Sequence, residues 1–165
     1  MDEENSIIGL ITANIVTTFN GMIIPYDGID NTANCDFERS ECHFDTFPAI
    51  EVSPPVSRVL STSSRTVHRE AKYDIFCYVN NIDDQWDSVT QKFALTKTLR
   101  NIPSYLVKEI MKDIKRGNNA SITSVGDIGQ CFVPGIGNDT VWLLSYIEVM
   151  VQYFEDQFNP FVKVG

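Results

Sequence analysis

Cys35, Cys42 and His43 are the residues of this 165-residue chain whose types most readily ligate a metal. Zinc sites present two close Cys/His pairs, and no second pair follows here, so a plain loop is the expected reading. Asp27, Asp30, Asp36 and Glu38 gather acids as a calcium loop does. They lack the EF-hand spacing and the glycine at its turning position. Gly135-x-Gly137 is half of a phosphate-cradling motif, and it leads into a strand-like run rather than a helix, which fits a hairpin loop. His43 and His68 stand in no nucleophile motif, and no GxSxG occurs. His68, between Val67 and Arg69, reads as a surface or interface residue rather than a general base. Asp83, Asp84 and Asp87 suit the positive end of a helix dipole before they suit a catalytic cluster. Nothing in these patterns calls for an enzyme, a metal or a cofactor.

Charge is segregated along the chain. The formal net charge is −9. Residues 1–51 hold ten acids and one base, residues 52–126 eleven bases and seven acids, and residues 127–165 one base and five acids. So acidic a surface disfavours broad nucleic-acid binding, while unlike patches can steer docking. The acidic candidates are Asp27, Asp30, Asp36, Glu38, Glu41 and Asp45. The basic ones are Arg58, Arg65, His68, Arg69 and Lys72. Together they are the expected inter-subunit or partner interface.

The elements that would position these residues follow from periodicity. Ile7, Ile8, Leu10, Ile11, Ile15, Val16 and Phe19 predict an amphipathic first helix that stops near Gly21. Residues 25–46 read as an acidic surface loop, whose removal should cost the core little. Phe47–Val52 and Val56–Leu60 predict strands, and Ser61–Ser64 a hairpin tip. Over residues 66–79, Tyr73, Ile75, Cys77 and Val79 alternate with Lys72, Asp74, Phe76 and Tyr78, giving a hairpin that projects at its basic outer end. Residues 83–102 and 104–115 predict a helix pair around Pro103, carrying Lys92, Lys97, Arg100, Lys108, Lys112, Lys115 and Arg116. Two strand pieces, 122–125 and 130–133, flank Gly126 and Gly129. The last strand, about 140–154, is apolar on both faces and is expected to be central or covered on both sides. The order predicts one α+β domain: a mainly antiparallel twisted sheet packed with an N-terminal helix and a central helix pair. No apolar run approaches the roughly 18–20 residues of a membrane span. The acidic N-terminus and few, irregular cysteines point to a cytosolic origin.

With Ile7–Phe19, Phe47–Val52, Ala71–Val79, a helix from Trp86 and the final strand Leu144–Asp156 in that order, the chain resembles the bacteriophage tail terminators. These are also called tail-completion or head–tail joining proteins. The resemblance spans about residues 5–157, and it rests on pattern rather than invariant motifs. It implies a structural neck protein of the virion, assembled in the host cytoplasm, that forms a ring, typically hexameric. Such a ring caps the tail tube, ends its polymerisation and docks the head connector or stopper. DNA passes through its channel without sequence readout. The family has no catalytic residues to carry over. The acidic 25–46 insert and the very long last strand depart from its pattern.

Two other readings stand beside this one. The first is a non-enzymatic cytosolic adaptor that binds a basic partner through the 25–46 loop. The second is a small metal enzyme built on Cys35–His43. On the ring reading, charge reversal at Arg65 and Arg69 together is expected to spare folding and weaken assembly.

Overall fold

A computed structural model of the chain describes residues 6–26, 28–37, 46–80, 86–93, 95–135 and 141–164. Helix α1 (Ile7–Phe19) starts where Ser6 adopts extended backbone and its Oγ accepts the Gly9 amide at 3.0 Å, which satisfies one of the helix's orphan donors. Ile7, Ile11, Ile15 and Phe19 recur every fourth residue and form its buried stripe. Asn20 leaves the helix in extended backbone, and Gly21 turns the chain at φ +81°.

The next segment corrects the expectation of a loop. β1 (Ile23–Tyr26) and β2 (Ile29–Thr32) form an antiparallel hairpin around Gly28, and β3 (Asn34–Phe37) runs parallel to β4 (Ala49–Val52). Ile24, Tyr26, Ala33 and Cys35 are buried core residues. Each strand is four residues long, and exposed acids such as Asp30 and Asp36 sit between the buried positions. A period of two over so short a stretch is masked by the acids. Residues 38–45 lie outside the described residues.

The main sheet is built on β10 (Val141–Asp156). It pairs antiparallel with β6 (Thr66–Val79) from Leu143↔Val79 to Asp156↔Thr66. The other edge of β10 carries β9 (Ile122–Pro134) and then β11 (Asn159–Lys163). The outer edge of β6 carries β4 and then β5 (Val56–Thr62), and β3 completes the seven strands. The last strand is therefore central, as its two apolar faces predict. One face is buried throughout from Leu143 to Glu155, while Leu144, Tyr146, Met150 and Phe154 on the other are only partly covered. β9 is one continuous strand rather than two pieces. Its register shifts where Gly126-Asp127 face Glu148. A Cβ at Gly129 would sit 2.5 Å from the Tyr146 hydroxyl, so glycine makes room for that ring inside the strand.

The helix expected from Asp83 is also corrected. β7 (Trp86–Asp87) and β8 (Lys92–Phe93) form a small antiparallel hairpin. Trp-Asp-Ser-Val-Thr at 86–90 is poor in helix formers, so an apolar spacing that fits a helix does not produce one. Asp83 and Asp84 lie outside the described residues. The helix pair consists of α2 (Lys97–Arg100), capped by Thr96, and α3 (Ile102–Ile110), which Pro103 opens.

α3 stops at Ile110 rather than 115. The Asp113 carboxylate accepts the amides of Lys115 at 3.1 Å and Gly117 at 2.7 Å, a local alternative to helix continuation. Arg116, Gly117 and Asn118 follow with φ of 48°, 66° and 67°. Arg116, counted among the bases of the helix pair, is fully buried. Its guanidinium donates to Asn14 Oδ1 at 3.2 Å, to Thr18 Oγ1 at 3.4 Å and to the Ile110 carbonyl. It thereby ties α1 to the end of α3.

The core lies between these helices and one sheet face. Ile7, Ile11, Ile15, Phe19, Leu99, Ile102, Leu106 and Ile110 meet Tyr73, Ile75, Cys77, Leu143, Ile147 and Val149. Tyr73 and Thr12 share a 2.8 Å hydrogen bond between β6 and α1. Burial pushes the Tyr73 phenol up, against the pull of Thr12. The result is an α+β fold with an open, mainly antiparallel sheet. No described helix is long and apolar enough to cross a membrane.

Candidate interaction surface

The β5–β6 hairpin carries the basic candidates, and the antiparallel register decides what they meet. Arg58 lies 2.9 Å from Glu70, across β5 and β6. Lys72 Nζ lies 2.9 Å from Glu148 on β10, and Arg65 Nε lies 3.4 Å from Asp156. Arg69 pairs with Glu155. His68 stands directly opposite Phe154, and the rings stack with centroids 4.3 Å apart and planes 10° apart. The hydrogen bond and charge of Glu148 raise the Lys72 pKa. Arg58, Arg65, Arg69 and Lys72 thus each meet an acid of β6 or β10 within the same chain, while His68 meets an aromatic ring. Exposure still differs widely. The Arg65 side chain is 83% exposed and that of Arg69 32%. β5 is exposed at every position, while β6 is held to β10 as far as Thr66.

Of the acidic candidates, two lie among the described residues. Asp30 lies on β2 and Asp36 on β3, both exposed. Asp27, Glu38, Glu41 and Asp45 lie outside the described residues, as do Cys42 and His43. Cys35 is buried in the core on β3. Burial and the nearby Cys35 push the Cys77 thiol up to about 12. Among the described residues, no group of three or more His, Cys, Asp or Glu is placed to hold a metal ion.

Sequence reasoning missed a different surface. The outer side of α1, with Leu10 and Val16, forms a groove of about 960 Å³ together with Phe37, Pro55 and Phe161 from farther along the chain. Among the described residues, no charged one lines it. Leu10 is 37% exposed and Phe37 43%. The signal was legible: IIGLITANIVTTF contains no charged residue, and a helix apolar on more than one face calls for cover on more than one face. Ile8 and Val16 on this side are partly buried, while Leu10 stays at the surface.

Among the described residues, four strands leave an open sheet edge, β3 and β5 on one flank of the β6–β10 pair and β9 and β11 on the other. The two flanks are unlike surfaces on opposite sides of one subunit. No known family's sequence model matches the chain, and no curated protein matches it.

Proposed function

We propose that this chain is a structural subunit of a closed homo-oligomeric ring at the head–tail junction of a tailed bacteriophage. There the ring caps the tail tube, ends its growth and joins it to the head connector. The observation that carries the reading is the groove on the outer side of α1, which no charged residue lines among those described, in a chain of net charge −9. Exposed apolar surface of this kind marks sites that another molecule covers. A ring needs a heterologous interface between unlike surfaces, and the open flanks of the sheet supply two. The net negative charge suits a channel that lets DNA pass without gripping its phosphates. The basic hairpin keeps solvent-facing guanidinium at Arg58 and Arg65 for a neighbouring ring, even with its intrachain acids engaged. The subunit works by shape and assembly rather than by turnover. The family resemblance implies six copies.

The test has two arms. Leu10→Glu places a charge in the groove and is expected to leave the melting temperature unchanged while abolishing the oligomer seen by light scattering. Mass spectrometry of purified particles is expected to find the chain in stoichiometric, ring-like copy number. Absence from purified particles overturns the reading. Recovery of a basic host protein without any virion component would favour the adaptor instead.

A further inference from the structure

The edge of β10 changes partner near its end. β9 is in register with it as far as Gln152↔Ile122, and β11 takes over at Glu155↔Lys163. Tyr153 and Phe154 fall in the gap, where neither strand has a registered partner for them. A notch of about 470 Å³ opens there, lined by Thr66, Lys115, Asn118, Ser121, Phe154 and Lys163, among others. That volume suits a small ligand.

The notch is cationic in an acidic protein. Among the described residues, its lining has two lysines and no carboxylate. The nearby acids are engaged elsewhere. Asp113 holds the Lys115 and Gly117 amides, Glu155 pairs with Arg69, and Asp156 pairs with Arg65. Among the described residues, neither Lys115 nor Lys163 has an ion-pair partner. The walls are also fixed in advance. Lys163 donates to the Asn118 carbonyl and closes the end of β11 onto the 115–121 loop. Buried Arg116 anchors that loop through three successive positive-φ residues, Asn119 Nδ2 reaches the Arg116 carbonyl at 3.2 Å, and the Ala120 amide reaches the Lys115 carbonyl at 2.9 Å. Preorganised donors bind without a large ordering cost.

We propose that this notch binds a phosphate monoester. The phosphate sits between the Lys115 and Lys163 ammonium groups, with Asn118 and the Thr66 hydroxyl at its edges. An apolar or planar remainder lies against Phe154. Ammonium groups act as compact charges toward a phosphate, and the aromatic wall favours an organic ester over the bare ion. The site is independent of the ring reading, because every residue in it comes from one chain.

Amide chemical-shift titrations of the full chain test it, with inorganic phosphate, AMP and acetate as the probes. Phosphate and AMP are expected to give saturable shifts at 115–121 and 163–164, with AMP the tighter. Lys115→Gln and Lys163→Gln are expected to weaken AMP by about tenfold each, the loss of one charge-assisted contact. The Lys115 side chain is exposed and holds none of the wall contacts, so the melting temperature of Lys115→Gln without ligand should not move. A rise in melting temperature with AMP, lost in both variants, is the second readout. Shifts that never saturate, acetate binding as tightly as phosphate, or affinity untouched by either substitution would each overturn the proposal.

Discussion

Arg69 on β6 and Glu155 on β10 form an ion pair on the sheet face that also carries Tyr153 and Val151, with the Glu155 side chain only 8% exposed. A carboxylate so buried depends on its partner. Arg69→Glu is expected to lower stability by about 2–4 kcal/mol, since it leaves Glu155 unpaired against a like charge. Arg65→Glu, at a side chain 83% exposed, is expected to stay within about 0.5 kcal/mol of the parent. Urea denaturation of the two single variants measures the contrast, and equal midpoints would show that solvent screens both pairs. Reversing both arginines together, expected from the sequence to spare the fold, should therefore spare it at Arg65 alone.

Asp113 gives the turn after α3 a dependence on pH. Burial disfavours its charge, but the Gly117 and Lys115 amides and the Arg116 guanidinium outweigh that and hold the carboxyl below its ordinary 3.8. A carboxylate favoured by the fold contributes fully above its unfolded pKa, and that contribution fades as pH falls through the lower folded value. Asp113→Asn is expected to cost about 1 kcal/mol at neutral pH. The deficit should shrink once the pH drops below about 4. Denaturant titrations at neutral and acid pH check this, and a constant deficit would mean that the charge is irrelevant.

Thiol reactivity should divide by burial. Cys131 is exposed, whereas Cys35 and Cys77 are buried and Cys77 is pushed up to about 12. Near neutral pH almost no Cys77 thiolate exists to react. Alkylation of the native protein is expected to reach Cys131, and Cys77 only after denaturant is added. Peptide mapping before and after unfolding reads it directly.

Deleting residues 28–44 is expected to unfold the protein. It would remove β2 and β3, and with them the buried Ala33 and Cys35 and the parallel partner of β4. Far-UV circular dichroism of the deletion variant shows the outcome, and a native melt would mean that β3 is dispensable.

The amino-acid sequence by itself determined the elements whose patterns are long. The fourfold recurrence of Ile7, Ile11, Ile15 and Phe19 encodes α1. The alternation across 66–79 and 141–156 encodes two long strands, because such periods repeat often enough to exceed the noise of single residues. Only the tertiary structure decided the rest. The four-residue strands of 23–37 gain their stability from neighbours rather than from their own pattern. Arg116 became a buried tie between helices because Asn14 and Thr18 approach it from nearly a hundred residues away. The bases of the hairpin met Glu148, Glu155 and Asp156 because strand register brings them there. Charges are countable along a chain, but which ones meet depends on contacts between distant segments, and those form only when the sheet assembles.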